Sequence, residues 1–339
     1  MNIIRPITAN DIDILADIAE QSGPGFTSLP HSPDLLIQKI ERSISSFKQE
    51  VSIAGEQSYL FVLEDTEQQK VIGTCGIEAA VGTRDPWYHY RIGTIVHASR
   101  ELQVHNRFKT LYLCNDYTGH SEVCTLYLDP EYRHSKNGTL LSKSRFMFMA
   151  EYPERFNHRV IAEMRGVSND NGVSPFWEGL GKRFFSMEFS EADYLTGIGN
   201  KSFIAELMPK HSIYIHLLPP SAQSVIGQVH TNTQPARKIL EDEGFRFEGY
   251  IDIFDGGPTL VSKVSDVRSI RHSRYYKVRV TTSEQAPQLC LASNTSLEDF
   301  RCTLAPLPIE PQGSVFLTPL QADALRVKEG GSLRVRILQ

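Results

Sequence analysis

The stretch LYLDPEYRHSKNGTLLSKSR, residues 126–145, predicts a strand that enters a turn and then a helix. Four basic residues, Arg133, Lys136, Lys143 and Arg145, fall in this stretch of a chain that is acidic overall, with 40 Asp and Glu against 35 Lys and Arg. The turn precedes a helix N-terminus, where unpaired N–H groups and the helix dipole favour an anion. The stretch therefore predicts a phosphate-binding turn.

The spacing of Arg133, Lys136, Gly138 and Thr139 separates this turn from two better-known phosphate loops. Nucleotide hydrolases use G-x-x-x-x-G-K-[ST], and dinucleotide-binding proteins use G-x-G-x-x-G. Residues 126–145 match neither pattern, so neither class is favoured. A capped surface helix with solvated lysines is the other interpretation of the same residues.

The composition is that of a globular protein with more than one unit. The chain has 339 residues and 40% apolar content, which is long for one domain and enough for ordinary cores. A net charge of -5 with no long basic block argues against a nucleic-acid partner. The five cysteines are scattered without a C-x-x-C pair, so we expect neither a metal site nor a disulfide framework.

Neither a membrane span nor a secretory signal is expected. No apolar run approaches the roughly 20 residues that cross a bilayer. The start MNIIRPITANDIDIL lacks the basic-then-apolar order of a signal peptide. We therefore expect a cytoplasmic protein whose partners are small molecules.

The order of predicted elements is that of a mixed α/β fold. A strand and a helix open the chain, with Thr8 and Asp11 at the spacing of a capping box. A Gly- and Pro-rich loop at residues 23–30 leads to a second helix, and a hairpin follows at residues 59–77. A further helix is predicted from Gly138. Further strands are predicted at residues 92–96, 110–114 and 124–128 and from residue 159.

Two later segments resemble each other: SPFWEGLGKRFF from Ser174 and QPARKILEDEGFRF from Gln234. Each predicts a helix that starts with Pro and stops at Gly. A partial second copy of the first unit is therefore predicted, and chance similarity of common helix signals is the other interpretation. From about Tyr276 the chain predicts a small β-barrel-like module with a short helix capped by Thr318. The expected units are residues 1–195, 196–270 and 271–339.

These motifs, in this order, resemble those of a known family. The start IRPIT, the hairpin strand with VIG, LYLDPEYR and SPFWEGLGKRFF are similar to the GNAT fold of acyl-CoA N-acyltransferases, whose loop signature is [RQ]-x-x-G-x-[GA]. Arg133 and Gly138 match that signature, whereas Lys136 stands at its first Gly. SVIGQVHTNTQPARKILEDEGFRFEGYIDIFDGGPTL and the FLTPLQADALRVKEGG tail extend the resemblance over essentially the whole chain, to the bacterial arginine N-succinyltransferase family.

The resemblance implies a GNAT-like core, a reaction and two substrates. Members of the family transfer a succinyl group from succinyl-CoA to the α-amine of L-arginine, and no metal or prosthetic group is expected. Ornithine or another basic amino acid is an alternative acceptor. A non-catalytic CoA-binding sensor or partner subunit is an alternative role, and a homo-oligomer is possible. The residues that the resemblance assigns to succinyl-CoA binding are Leu126, Leu128, Arg133, Lys136, Gly138 and Thr139.

His230, in VIGQVHTNTQPA, matches the family's proton-donor histidine. Transfer from a thioester removes a proton from the amine and supplies one to the thiolate, and imidazole can do either near neutral pH. A helix start predicted at residues 233–235 favours the neutral ring and a base role, so the direction stays open. Without the match, a structural loop histidine is the ordinary interpretation. Cys124 is the positional candidate for an acyl-cysteine, but its flanks are apolar, so direct attack by the amine is expected.

The groups that bind the acceptor are left open by the sequence. The loop at residues 23–28 lies where GNAT enzymes usually meet the acceptor, and Glu248, Asp252 and Asp255 follow the second Pro-start helix. Solvated side chains are the ordinary interpretation of each charged residue.

Overall fold

The computed structural model of the chain describes residues 1–22, 28–169, 172–197, 202–281, 286–310 and 313–338. Its first half alternates strands with helices, as the sequence predicts. The elements are β1 (Asn2–Pro6), α1 (Ile12–Ser22), α2 (Pro33–Lys48), β2 (Ser58–Asp65), β3 (Lys70–Glu78), β4 (His89–Ser99), β5 (Val104–Cys114), β6 (Ser121–Leu128), α3 (Asn137–Glu151) and β7 (Arg159–Glu163).

The second half opens on a π-helical turn at Trp177–Gly181, passes through short helices, and ends in a β-rich region. Its elements are α4 (Lys182–Phe185), α5 (Phe189–Gly197), α6 (Ser202–Leu207), β8 (Ile213–Tyr214), α7 (Pro220–Val225), α8 (Gln234–Glu243), β9 (Arg246–Ile251), β10 (Pro258–Lys263), α9 (Arg268–Arg271), β11 (Arg274–Val280), β12 (Gln288–Ser293), β13 (Cys302–Leu307), β14 (Ser314–Leu317), α10 (Pro319–Ala324) and β15 (Ser332–Ile337).

The strands of the described residues form one 15-stranded sheet. Its order is β14-β11-β15-β12-β13-β1-β2-β3-β6-β7-β10-β9-β4-β5-β8. The β6–β7 and β11–β14 pairs are parallel, whereas the hairpin β2–β3 and its neighbours are antiparallel. A mixed sheet covered by helices is what the sequence predicts, and the α/β class is confirmed.

Helix α3 lies against the centre of the sheet, and its middle is buried. The ring of Phe148 meets Phe47 and Phe61 edge-on, with centroids 5.6 and 5.2 Å away. It also meets Phe300 of the C-terminal region at 5.1 Å. Such aromatic contacts each add stability beyond the area that they bury. The helix that follows the basic turn is therefore fixed by both ends of the chain.

The two similar segments adopt different conformations. Gly244 ends α8 in the left-handed region, with φ of 108°, and leads into β9 as predicted. Gly181 has φ of -56° and the chain continues into α4, so the helix stop expected there is wrong. The reason is packing, because a Cβ on Gly181 would lie 2.2 Å from the ring of Trp177. Strands β9 and β10 extend the sheet beside β7, and the partial second copy stays a prediction.

The C-terminal strands have a core of their own, which includes Val278, Cys290, Val315 and Leu333. Helix α10 begins as predicted, since the Thr318 hydroxyl accepts a hydrogen bond from the Gln321 N–H at 3.2 Å. Strand β13 joins this region to β1. The three expected units share one sheet in the described residues, and their boundaries stay predictions.

Candidate active site

A cleft of about 1570 Å³ runs along the sheet at the point where β6 and β7 meet. Its walls include the second half of β6, the first turn of α3, the end of β7 and the start of α8. All six residues that the sequence assigns to acyl-CoA binding line this cleft: Leu126, Leu128, Arg133, Lys136, Gly138 and Thr139. The structure therefore brings them to one surface.

Strands β6 and β7 diverge inside the cleft. They pair only at Ser121 with Val160 and at Glu122 with Ile161, while β6 stays paired with β3 as far as Leu128. The register of β6 against β3 shifts at Thr125, whose φ is 52°, as in a β-bulge. The side of β6 that faces β7 beyond Glu122 thus borders the cleft.

The basic turn has two successive left-handed residues before α3 begins. Ser135 and Lys136 have φ of 52° and 62°, and Lys136 is the N-cap of α3. A glycine adopts this conformation without strain, which explains why the family pattern has one where this chain has Lys136. Arg133 is exposed and its Nε donates to the Leu128 carbonyl at 3.2 Å. A Cβ on Gly138 would find no neighbour nearer than 3.9 Å.

His230 lies just before α8, next to the wall that Thr231, Asn232 and Thr233 form, and is not itself among the residues that line the cleft. Its N–H donates to the Arg165 carbonyl at 2.9 Å, which ties it to the segment that continues β7. Its Nδ1 accepts from the Asn232 N–H at 3.2 Å. An Nδ1 that accepts leaves the proton of the neutral ring on Nε2. The neutral ring therefore carries its N–H at Nε2, and Thr231, Asn232 and Thr233 line the cleft beside it.

Comparisons with known proteins agree with this geometry. The model of the arginine N-succinyltransferase beta subunit matches residues 2–269, and the model of that subunit's C-terminal domain matches residues 274–335. The chain is 53% identical to the arginine N-succinyltransferases of Salmonella schwarzengrund and Salmonella agona, over 99% of this chain and 97% of each relative. The chain belongs to the arginine N-succinyltransferase family. Its predicted family and its class as an acyltransferase are confirmed.

A solved structure of the arginine N-succinyltransferase family has the same fold. It is described as arginine/ornithine succinyltransferase subunit AI from Pseudomonas aeruginosa. The two chains superpose with a TM-score of 0.91 and 40% identity, over 99% of this chain and 98% of the other.

Cys124 lies on β6 in the arginine N-succinyltransferase cleft, where a covalent intermediate would form. Burial raises the pKa of its thiol to about 12, and the charges of Glu122 and Glu78 add to the rise. Such a thiol stays protonated near neutral pH, and the protonated thiol is a poor nucleophile. The raised pKa of the Cys124 thiol therefore favours direct attack by the amine, as the sequence predicts.

Several charged residues in the cleft carry no local sequence signal. Lys39 of α2 lies 3.4 Å from Glu78 of β3. Glu163, at the end of β7, accepts from the Trp87 indole N–H at 3.2 Å. These residues come from distant parts of the chain, so only the folded sheet brings them together. The predicted acceptor loop at residues 23–28 falls largely outside the described residues.

The carboxylates of Asp252 and Asp255 accept hydrogen bonds from backbone N–H groups. Asp255 is buried and accepts from the N–H groups of Gly166 and Gly257, at 2.6 and 2.8 Å. Asp252 accepts from the N–H groups of Phe254 and Asp255, at 2.7 and 2.8 Å. Burial raises the pKa of both carboxyls; Glu163 adds to the rise at Asp252, and Asp252 adds to it at Asp255. The expectation that these residues are solvated is wrong, and Asp255 holds the continuation of β7 against the β9–β10 turn.

We expect Asp252→Asn to make folding less sensitive to pH. Because both pKa values are raised on folding, the folded state binds more protons than the unfolded state. The stability that the two protonated carboxyls contribute is therefore complete below about pH 4 and is lost as pH rises. The amide removes one charge from the pair. In urea titrations, the variant should gain about 1 kcal/mol over the wild type between pH 5 and pH 8. Asp242→Asn, at an exposed site on α8, is the matched control, and a pH-independent difference would contradict the expectation.

The described residues contain neither a membrane-spanning helix nor a cluster of metal ligands. No helix in them is long and apolar enough to cross a membrane. No group of three or more His, Cys, Asp and Glu side chains in them could hold a metal ion.

Proposed function

We propose that this chain transfers a succinyl group from succinyl-CoA to the α-amine of L-arginine, giving N2-succinylarginine and CoA. One observation carries the proposal: the chain is 53% identical, nearly end to end, to relatives that are named for this reaction. The cleft supports this proposal, because it contains both the diverging strands β6 and β7 and the basic turn before α3. A homo-oligomer and a cytoplasmic location stay predictions.

The order of elements along this cleft suits coenzyme A. Its pyrophosphate would lie over the turn, near the exposed Arg133 and Lys136 and the first-turn N–H groups of Gly138 and Thr139. Its pantetheine arm would run along the free side of β6, past Leu128. The thioester carbonyl would then reach the backbone of Leu126, where an N–H can polarise it.

In the proposed reaction, the neutral amine of arginine attacks the thioester carbonyl carbon. The new C–N bond forms as the C–S bond breaks, the amine nitrogen loses a proton, and the leaving thiolate takes one up. His230 would supply that proton from Nε2 in its imidazolium form, which the proton released by the amine restores, because a neutral ring that gave up its Nε2 proton would be left as an imidazolate. This direction agrees with the donor role that the family resemblance implies.

The cleft also supplies negative groups for a cationic acceptor. Glu78 and Glu163 both line it, on either side of the divergence. A guanidinium pairs with such a carboxylate through two parallel N–H bonds, whereas an ammonium makes a point contact. The Pseudomonas aeruginosa relative carries both arginine and ornithine in its name, so both acceptors belong in the test.

The test is CoA thiol release by the purified protein, with L-arginine, L-ornithine or no acceptor, and with acetyl-CoA as the donor control. We expect release that requires L-arginine and strongly favours succinyl-CoA. Release with L-ornithine alone would reassign the acceptor. CoA binding without release under any acceptor would refute the catalytic proposal and favour a sensor or partner subunit.

The loop offers a separate prediction at Lys136. Lys136→Gly should raise the free energy of unfolding by about 1 kcal/mol, because glycine adopts φ of 62° without strain. Lys136→Ala removes the same charge and keeps the strain, so it is the matched control. Both variants should weaken CoA binding by roughly fivefold, as for one exposed charge pair. Calorimetry measures CoA binding, and urea titration measures the free energy of unfolding. Equal stability of the two variants would show that the left-handed conformation at Lys136 does not strain the backbone.

A further inference from the structure

Arg145 is a buried guanidinium on α3 that borders the cleft. Its side chain is 1% exposed and is among the largest fully buried side chains of the protein. Its Nε donates to the Ser142 carbonyl and its Nη2 to the Ser142 hydroxyl, both at 3.1 Å. Its Nη1 donates to the Cys124 carbonyl at 3.2 Å. A guanidinium has five N–H groups, so two remain after these three bonds.

The charge of Arg145 has no close counter-charge in the part of the chain that the structure describes. All three of its acceptors are neutral, and among the described residues no carboxylate lies within 4.0 Å of it. A buried charge without a partner is costly, and arginine keeps its proton under nearly all conditions. Burial lowers the pKa of Arg145, against the charge of Glu122 on β6. The site is therefore electrostatically incomplete without an anion.

Some other basic groups near the cleft are paired with carboxylates, whereas Arg133, Lys136 and Arg165, which are all less buried than Arg145, line the cleft without such a partner among the described residues. Lys39 lies 3.4 Å from Glu78, and Lys143, on the same helix as Arg145, lies 2.8 Å from Glu243. Arg155 is a useful comparison, since it is 4% exposed and donates to backbone and tyrosine oxygens. Arg155 lies 4.0 Å from the Glu154 carboxylate and does not line the cleft. Arg145 thus combines burial, an unmatched charge and access to the cleft.

The position of Arg145 separates it from the phosphate turn. It lies roughly 12 Å along the helix axis from Asn137, at the start of α3. The Cys124 carbonyl that it contacts is on β6, next to the bulge at Thr125 and just before Leu126. The anion that completes this site is therefore a second one, at the acyl end of the cleft.

We infer that Arg145 binds the terminal carboxylate of the succinyl group and so selects a dicarboxylic acyl donor over a monocarboxylic one. The inference rests on the proposed function, because it names the residue that recognises the donor in that reaction. Succinyl-CoA carries anions at both ends, with the pyrophosphate at one and the free carboxylate at the other. The turn and Arg145 match these two ends in order along one wall of the cleft.

The test compares Arg145→Met with the wild type, using succinyl-CoA and butyryl-CoA, which has a four-carbon acyl chain without the carboxylate. Binding is measured by calorimetry without L-arginine, and kcat/KM is measured with it. We expect the wild type to prefer succinyl-CoA in both measurements. The preference in kcat/KM should fall about 100-fold or more in the variant, because the guanidinium would no longer pair with the carboxylate. Butyryl-CoA binding should hold.

Arg155→Met is the matched control, since it also removes a buried arginine. It should lower stability and leave the preference between donors unchanged. Arg145→Lys keeps a charge but loses the two-pronged geometry, and it should reduce the preference by about tenfold or more. This second variant keeps the test decisive if Arg145→Met does not fold.

The outcomes separate the inference from the proposed function. If the Arg145 variants lose kcat/KM equally for both donors, the role of Arg145 is purely structural and the inference is wrong. Wild-type binding without a preference for succinyl-CoA would also overturn the inference. If the wild type binds succinyl-CoA through Arg145 but transfers nothing to any acceptor, the proposed function is refuted and the inference about Arg145 is kept.

Discussion

Replacing His230 with Asn is expected to reduce kcat by about 10² to 10⁴-fold, the range for loss of a proton-transfer group. Asn is the sharper choice, because its side-chain oxygen can still accept from the Asn232 N–H that His230 caps through Nδ1. It cannot carry a proton to the leaving thiolate. His230→Ala should lose the same activity and also destabilise the turn by about 1 kcal/mol.

Steady-state kinetics with succinyl-CoA and L-arginine measure the effect of these His230 variants, and calorimetry with CoA shows that binding is kept. His105→Ala is the control, since His105 is an exposed histidine on β5. A His230→Asn protein with kcat within about threefold of the wild type would lie far outside the range for a proton-transfer group. Proton transfer would then have to be reassigned to another group in the cleft.

Replacing Gly257 with Ala is expected to cost about 3 kcal/mol of stability or more, as for overpacking against atoms that cannot move aside. A Cβ at this position would lie 2.1 Å from the Met164 carbonyl oxygen and 2.6 Å from the Gly166 nitrogen. Both atoms belong to the backbone that continues β7. The two segments must therefore separate, which breaks the hydrogen bond from Met164 N–H to the Pro258 carbonyl.

Gly257→Ala should also lower kcat, because the backbone segment that it displaces holds His230. Arg165 lies between Met164 and Gly166, and its carbonyl holds the His230 N–H at 2.9 Å. Gly55→Ala is the matched control, because its Cβ would meet nothing closer than 3.5 Å and should change stability by less than about 0.5 kcal/mol. Urea titration and kinetics report both effects. Equal stability of the two alanine variants would show that the backbone yields at Gly257.

Much of the architecture can be predicted from residues that are close together in the sequence. Thr8 with Asp11 forms a capping box where the spacing predicts it, and Thr318 caps α10 as predicted. Gly244 ends α8 for the reason that glycine usually ends helices. The basic turn lies before α3, as the order of Arg133, Lys136 and Gly138 indicates. Each of these features depends on residues within a few positions of one another.

Two of the three wrong interpretations concern residues that contact segments distant in sequence, whereas Gly181 meets Trp177, four residues earlier. Gly181 looks like a helix stop, but the ring of Trp177 requires a glycine there while the helix continues. Asp255 looks like a solvated strand-end charge, but it is buried against the Gly166 and Gly257 N–H groups. Arg145 looks like one more basic residue of the turn, but helix packing buries it at the acyl end of the cleft.

The sequence by itself determined the order of helices and strands, the basic turn, the histidine motif and the family. These depend on short spacings and on matched segments, which need no three-dimensional arrangement. Only the tertiary structure decided that β6 parts from β7 beyond Glu122, that six binding candidates face one cleft, and that Arg145 is buried with no carboxylate paired to it in the described part of the chain. Burial and electrostatic pairing depend on which distant segments pack together, and a local pattern does not encode that packing.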